Sequence, residues 1–284
     1  MKRTWKGYLF AGPLLLGFLL FYVLPFGQVV WDSLSQGTGK SQLFVGLENY
    51  SRMFQNDMFR MAFGNTMGFL GIGLPVILLV SYGLALFLKR QARRFQLLRT
   101  VLLLPYVMPV AGTVLLVDLL FSREGLVNQL FLTLGLPLAD WLQSPAAFWV
   151  MLILYLWKST GYAVVLLLAG LIAIPPDHYA VAQVEGAGWC QAFRYITMPQ
   201  MWYALFIAFV FSLINAFKCF REIFLVGGEH PHPSVYMLQH FINNSFENLN
   251  YQRLSVASVL LFLVVALVLG VCALWVLRKE AARS

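Results

Sequence analysis

Charge is what this chain has least of. Asp, Glu, Lys and Arg together make up 11% of its 284 residues, against roughly a quarter in soluble domains, too little to cover a water-soluble globule. Cysteine is also sparse. The three, Cys190, Cys219 and Cys272, show no CxxC spacing and no obvious pairing, which argues against a disulfide scaffold or a thiolate metal site. No GxxxxGK[ST] phosphate loop occurs, so the chain is not expected to hydrolyse ATP alone. The first apolar run, Tyr8 to Val30, is too long for a signal-peptide core and lacks a small-residue cleavage site after it, so it reads as a retained span.

Apolar residues fill the space that charge leaves. They account for 60% of the chain, the mean hydropathy is +0.74, and several windows exceed the ~18–20 apolar residues that cross a bilayer as a helix. The expected fold is all-α: one transmembrane domain over residues 1–284, with spans at about 8–31, 62–88, 98–121, 148–172, 202–225 and 255–277. Six spans put both termini on one side. Lys2, Arg3 and Lys6, the cluster Lys89, Arg90, Arg93, Arg94 and Arg99, then Arg194, and finally Arg278, Lys279 and Arg283 fall at the termini or in the second and fourth loops. Positive charge marks those surfaces as cytoplasmic. The formal net charge of +8 then reflects topology and anionic headgroups, and no nucleic-acid partner is expected because neither a soluble domain nor an aromatic-basic module is present.

Within the spans, Pro75, Pro105 and Pro109 predict kinks, and Gly64, Gly68, Gly71 and Gly73 predict close helix approach in the second span. Each residue alone is also ordinary for a membrane helix; together they favour a packed, moving bundle. Glu229, His230 and His232 cluster in an external loop, where they read either as metal ligands or as a solvated turn. The turn is the preferred reading, and no metal site is expected.

The segment of about 174–200, between the fourth and fifth spans, is the most informative. It opens on a Pro stop, continues as a short amphipathic helix from about Asp177 to Gln191 with a Gly break inside it, and then starts a second helix. Ile174, Pro175, Tyr179, Ala182, Glu185, Gly186, Ala187, Phe193, Ile196 and Pro199 keep the spacing of the coupling segment of binding-protein-dependent ABC importer permeases, and the chain resembles that family. Ala180 and Val181 stand where the family usually has Glu and Ala, and Glu185 replaces the usual Asp. Further matches resemble the maltose-type sugar permeases: Pro13, the run Phe44 to Tyr50, Leu104-Pro105, the run Gly125 to Leu130, Asn215, Phe217 and Gly227-Gly228. A Trp usual near the end of the third span is missing, with Asp118 nearby instead.

The resemblance implies a permease that pairs with a second, homologous permease, sits on a dimer of ATPase subunits and takes a carbohydrate, expected to be an oligosaccharide, from an extracytoplasmic substrate-binding protein, in a bacterial cytoplasmic membrane. ATP and Mg would be held by the ATPase subunits and no cofactor by this chain. The coupling helix would dock on one ATPase subunit through Tyr179, Ala180, Ala182, Glu185, Gly186 and Ala187. Small residues allow close approach and an aromatic can anchor in a pocket; the same segment also reads as a plain re-entry helix capping the bundle.

Charges late in the fifth span supply a candidate substrate pathway. Asn215, Lys218 and Glu222 share one helical face with Phe211, and ionisable groups at such depth face a bundle interior or a wet cavity. The competing reading is an i, i+4 Lys218–Glu222 pair near the external interface, with Arg221 snorkelling to headgroups. Asp118 and Lys158 are candidates for the same cavity or for a structural ion pair. If these residues line the path, the basic lining favours an acidic or heavily hydroxylated sugar. Two other classes compete. An integral membrane enzyme would need clustered carboxylates or a His/Asp pair at the cytoplasmic interface, where only Asp177, His178 and Glu185 stand. A secondary transporter would show inverted repeats and more spans.

Overall fold

The computed structural model describes residues 5–37, 42–90 and 96–281. Lys2, Arg3, Arg93, Arg94 and Arg283, five of the expected cytoplasmic cations, lie outside the described residues. In chain order, α1 (Trp5–Phe18) runs through a π turn (Leu19–Val23) into α2 (Leu24–Ser33). A two-stranded antiparallel ribbon follows, β1 (Ser35–Gln36) on β2 (Leu43–Phe44), with Ser35 opposite Phe44. Helices make up the regular structure that remains: α3 (Glu48–Gln55), α4 (Asp57–Arg90), α5 (Gln96–Val107), α6 (Val110–Phe121), α7 (Leu126–Thr133), α8 (Ala146–Ala173), α9 (Pro176–Val184), α10 (Trp189–Ala192), α11 (Met198–Gln200), α12 (Trp202–Lys218), α13 (Phe220–Gly227), α14 (Leu238–Glu247) and α15 (Tyr251–Ala281), with a π turn (Phe193–Thr197) before α11 and a 3-10 turn (Pro233–Val235) before α14.

Among the described residues, five segments are long and apolar enough to cross a membrane: Phe10–Ser33, Asp57–Arg90, Ala146–Ala173, Trp202–Gly227 and Tyr251–Lys279. They overlap the first, second, fourth, fifth and sixth windows expected from hydropathy. The third window, 98–121, is not one straight helix. Its two halves, Thr100–Val107 and Val110–Thr133, are bent by 98° and make a sixth span only if counted together. The break falls at Met108–Pro109, where Pro109 holds φ −58° and ψ 148°. Proline has no N–H to continue the helix and disfavours the α conformation in the residue before it. Pro75 and Pro105, by contrast, sit inside α4 and α5.

The chain divides into two units, Met1–Phe63 with Leu238–Ala266, and Gly64–Met237 with Leu267–Ser284. In the first, two residues of the Phe44 to Tyr50 motif tie down the connection after α2. Asn49 Nδ2 donates to the carbonyls of Ser33 (3.1 Å) and Ser35 (2.8 Å), and the Tyr50 hydroxyl lies 2.8 Å from the hydroxyl of the buried Ser33. Gly46 supplies the left-handed turn just before them, at φ +60°. Phe59 packs edge-on against Phe241, and Gln252 Nε2 donates to the Gly37 carbonyl at 2.6 Å.

The second unit is organised around α8. One buried cluster holds Phe69, Met151, Tyr155 and Ile223, and another holds Tyr82, Leu167, Leu171 and Met201. Lipid tails are as apolar as Leu, so helix association here rests on close packing and interhelical hydrogen bonds rather than on expulsion of water. Tyr155 donates to the Ser212 carbonyl of α12 at 2.9 Å. A Cβ on Gly161 would lie 1.7 Å from the Leu102 carbonyl oxygen of α5, and one on Gly170 would lie 2.6 Å from Ala204 Cβ of α12. The tightest crossings thus use glycines of the fourth span. Gly64, Gly68 and Gly71 of α4 have open space where a Cβ would go; only Gly73 meets a neighbour, at 3.2 Å from Leu152 and Tyr155.

Asn128, in the Gly125 to Leu130 motif, is the hub of the connection between α6 and α8. Its Nδ2 donates to the Arg123 and Ala139 carbonyls (3.0 and 2.9 Å), and its Oδ1 accepts from Ala139 N and Trp141 Nε1 (3.2 and 3.0 Å). A buried amide that uses both ends in this way fixes the loop at little desolvation cost.

Candidate functional site: an exposed helix and a charged cavity

The segment between α8 and α12 opens as two short helices joined by a tight turn. Pro175 and Pro176 start α9, where a missing N–H costs nothing. Gly186, at φ +80°, ends it, and the Ala187 N–H returns to the Ala182 carbonyl at 2.8 Å. That left-handed position favours glycine, because an L side chain there is strained. The Gly188 N–H then meets Gln191 Oε1 at 2.9 Å at the start of α10.

Its residues divide by face. Ala180, Val181, Val184, Glu185 and Gly186 are exposed, Val184 at 90%, while Tyr179, Ala182 and Ala187 are half-buried. Tyr179 is fastened to the bundle: its hydroxyl lies 2.9 Å from the Thr197 hydroxyl and accepts from Lys89 Nζ at 3.3 Å, and the same ammonium stands 4.6 Å from the ring centroid. Arg90 stacks on Trp189 at 5.3 Å, and Trp189 stacks on Phe193. His178 Nδ1 lies 3.0 Å from Gln200 Nε2. Lys89 and Arg90 end α4, while Thr197 and Gln200 lead into α12, so α9 and α10 are lashed to the ends of two long helices. Sequence reasoning named Tyr179 for contact with an ATPase and did not foresee Lys89, Arg90 and Thr197 as tethers of the segment.

Deeper in the second unit, a cavity of about 310 Å³ is lined by residues of α5, α8, α12 and α13 and of the α5–α6 break, among them Tyr106, Lys158, Asn215, Lys218, Arg221 and Glu222. Four of the six pathway candidates, Asn215, Lys218, Glu222 and Lys158, therefore meet around one space. Phe211 and Asp118 are not among its lining residues: Phe211 packs against Tyr162 at 5.4 Å, and Asp118 is exposed on α6. The alternative i, i+4 pair is corrected by the geometry. Glu222 Oε1 pairs with Lys158 of α8, not with Lys218, and Arg221 lines the cavity. Tyr106 and Ser159 also line it; the kink at Pro109 was read from the sequence, but that these two residues face the cavity was not.

The His232 ring accepts from the Ser234 N–H at 3.2 Å and caps a short turn. No group of three or more metal-ligating side chains occurs among the described residues. Cys190, Cys219 and Cys272 are free thiols. At the end of α15, Lys279 stands 4.2 Å from the Trp202 ring and 4.6 Å from the Trp275 ring.

The chain belongs to the family of binding-protein-dependent transport system inner membrane components, whose sequence profile matches residues 73–279. It is 30% identical to the trehalose/maltose transport system permease protein MalF of Thermococcus litoralis, over 91% of this chain and 89% of that one. Identity is 31% to the sulfoquinovosyl glycerol transport system permease protein SmoG of Agrobacterium fabrum, over 82% and 78%. Its fold is similar to that of a chain in the crystal structure of a bacterial ABC transporter involved in the import of the acidic polysaccharide alginate, with a TM-score of 0.78 at 21% identity over 98% and 96% of the two chains.

Proposed function

We propose that this chain forms one half of the membrane path of an ATP-driven carbohydrate importer in a bacterial cytoplasmic membrane, with both termini cytoplasmic. A second, homologous permease completes the path, a dimer of ATPase subunits holds ATP and Mg, and an extracytoplasmic binding protein delivers the sugar. Family membership and the relatives named for trehalose/maltose and sulfoquinovosyl glycerol support the importer class and a carbohydrate cargo.

One observation carries the mechanism: α9 exposes an apolar, small-residue face while its Tyr179 is tied to Lys89 and Thr197. The exposed face suits a cleft on a soluble partner, with Ala180, Val181 and Val184 giving close approach and no unpaired buried charge. The tethers then carry the partner's closure to α4 and α12 as rigid-body motion, and the cavity between the permeases alternates its access. This chain supplies no catalytic group; hydrolysis belongs to the ATPase subunits.

The test is co-purification of the tagged chain in mild detergent, followed by ATPase assays with candidate sugar-binding proteins, wild type against Gly186→Pro. Recovery of an ATPase and a second permease, with activity stimulated by a loaded binding protein and lost in the variant, is the expected result. A chain that purifies alone, or activity indifferent to any binding protein, would overturn the reading.

A further inference from the structure

Lys158, Lys218, Arg221 and Glu222 all line the 310 Å³ cavity, three cations against one carboxylate. Lys158 is consumed by its pairing with Glu222 Oε1. Lys218 and Arg221 are both exposed and form no ion pair among the described residues, so two positive charges border this space without a carboxylate of their own. The second feature is Glu222 Oε2. Glu222 is 4% exposed, yet this oxygen finds no hydrogen-bond donor among the described residues. A buried carboxylate lone pair left unmet, in the wall of a polar cavity, is the mark of a donor that arrives from elsewhere.

We propose that the cargo is an anionic sugar: its carboxylate, sulfonate or phosphate lies against Lys218 and Arg221, and one of its hydroxyl groups donates to Glu222 Oε2. The proposal rests on the reading of this chain as a carbohydrate permease and specifies the chemistry of that cargo. Each feature has its own part. Arg221 offers a planar fork matched to two acceptor oxygens, and Lys218 adds a mobile point charge. Lys158 holds Glu222 in place and cancels its charge, so that the carboxylate accepts a hydroxyl without repelling the anion nearby. Asn215, on the same wall, has an amide able to meet ring or hydroxyl oxygens. The cavity falls at the small end of the roughly 300–1,000 Å³ range of small-molecule sites, a fit to about one or two sugar rings. A neutral oligosaccharide would leave both cations without a counter-charge.

The experiment uses the complete transporter, with its partner permease, ATPases and binding protein, in proteoliposomes. Uptake is measured for a uronic-acid disaccharide, a sulfonated sugar, a hexose phosphate and a neutral disaccharide. One of the three anionic sugars is expected to be preferred, and which one identifies the acidic group. Lys218→Gln and Arg221→Gln should each lower uptake of that sugar about tenfold relative to the neutral one, the loss of one charge-assisted contact. Lys218→Arg, which keeps the charge, should retain most of it, and Arg221→Lys, which keeps the charge but loses the fork, should fall between the wild type and Arg221→Gln. Preference of the wild type for the neutral disaccharide, or equal losses in the charge-keeping and charge-removing variants, overturns the anionic site while leaving carbohydrate import standing. An assembled transporter that takes up none of the four overturns both.

Discussion

Lys158 of α8 and Glu222 of α13 stand 64 residues apart in the chain and form an ion pair in the wall of the cavity. Their side chains are 17% and 5% exposed, so neither is well solvated without the other. Removing one partner leaves an uncompensated buried charge, whereas removing both removes the problem. Lys158→Met should therefore cost on the order of 3–5 kcal/mol, and Lys158→Met with Glu222→Leu should recover most of it. Unfolding midpoints of the detergent-solubilised variants read this directly; equal destabilisation by the single and double variants would refute it.

Gly161 and Gly68 make an opposite pair of predictions from the same substitution. At Gly161 a methyl group would sit 1.7 Å from the Leu102 carbonyl oxygen, so Gly161→Ala must push α5 away from α8. Both helices line the cavity, and overpacking a helix crossing costs about 1–3 kcal/mol or more. At Gly68 a methyl group meets nothing within 4 Å, and Gly68→Ala should be neutral or stabilising by up to ~1 kcal/mol through helix propensity. Comparative thermal unfolding and uptake by the two variants separate the cases: Gly161→Ala loses both, Gly68→Ala neither.

Much of this architecture was legible in the chain, and the gaps follow a physical pattern. Long apolar windows found the long helices because span length is set by the bilayer, a property of one segment at a time. The motifs at Asn49-Tyr50 and Asn128 were visible as residues, but their work is structural: they satisfy carbonyls of their own connections. Glycine spacing in the second span marked one close approach, Gly73 against Leu152 and Tyr155 of α8, and three positions, Gly64, Gly68 and Gly71, that meet nothing within 4 Å. A small-residue stripe says which face is narrow but not whether a neighbour occupies it, and Gly64, Gly68 and Gly71 of α4 are left open while Gly161 and Gly170 of α8 are covered. The Lys158–Glu222 pair escaped for the same reason, since an i, i+4 spacing is local and the real partner is not. Pro109 was read as a kink, yet a 98° break depends on what the second half packs against, and that is a property of the whole bundle.

Burial of His240 carries a pH dependence. This residue lies on α14, outside the long apolar helices, and is fully buried; desolvation lowers its pKa from the ordinary 6.5 to about 4. The folded state therefore holds the ring neutral where the unfolded chain would protonate it. Below about 6.5 the unfolded state binds the extra proton, so stability falls as pH falls, and the loss levels off below about 4. The whole effect is on the order of 3 kcal/mol. Unfolding midpoints between pH 7 and pH 4 should decline more steeply in the wild type than in His240→Gln, and parallel curves would remove His240 as the cause.

The tether at Tyr179 separates docking from transmission. Its hydroxyl bonds to Thr197 and Lys89, and its ring carries the Lys89 ammonium, whereas the face proposed to meet the ATPase is formed by Ala180, Val181 and Val184. Tyr179→Ala removes the tether and leaves that face intact. The ATPase dimer should still co-purify, with ATP hydrolysis persisting but its stimulation by loaded binding protein falling about tenfold or more, because closure now moves α9 without moving α4 and α12. Tyr179→Phe keeps the ring under Lys89 and loses only the hydroxyl contacts, each worth about 1 kcal/mol, so its coupling should be intermediate. Val184→Asp should do the reverse, placing a charge on the docking face and releasing the ATPase subunits while the permease remains folded. If Tyr179→Ala releases the subunits as Val184→Asp does, Tyr179 belongs to the docking face itself; if it changes neither association nor stimulation, α9 transmits nothing through that contact.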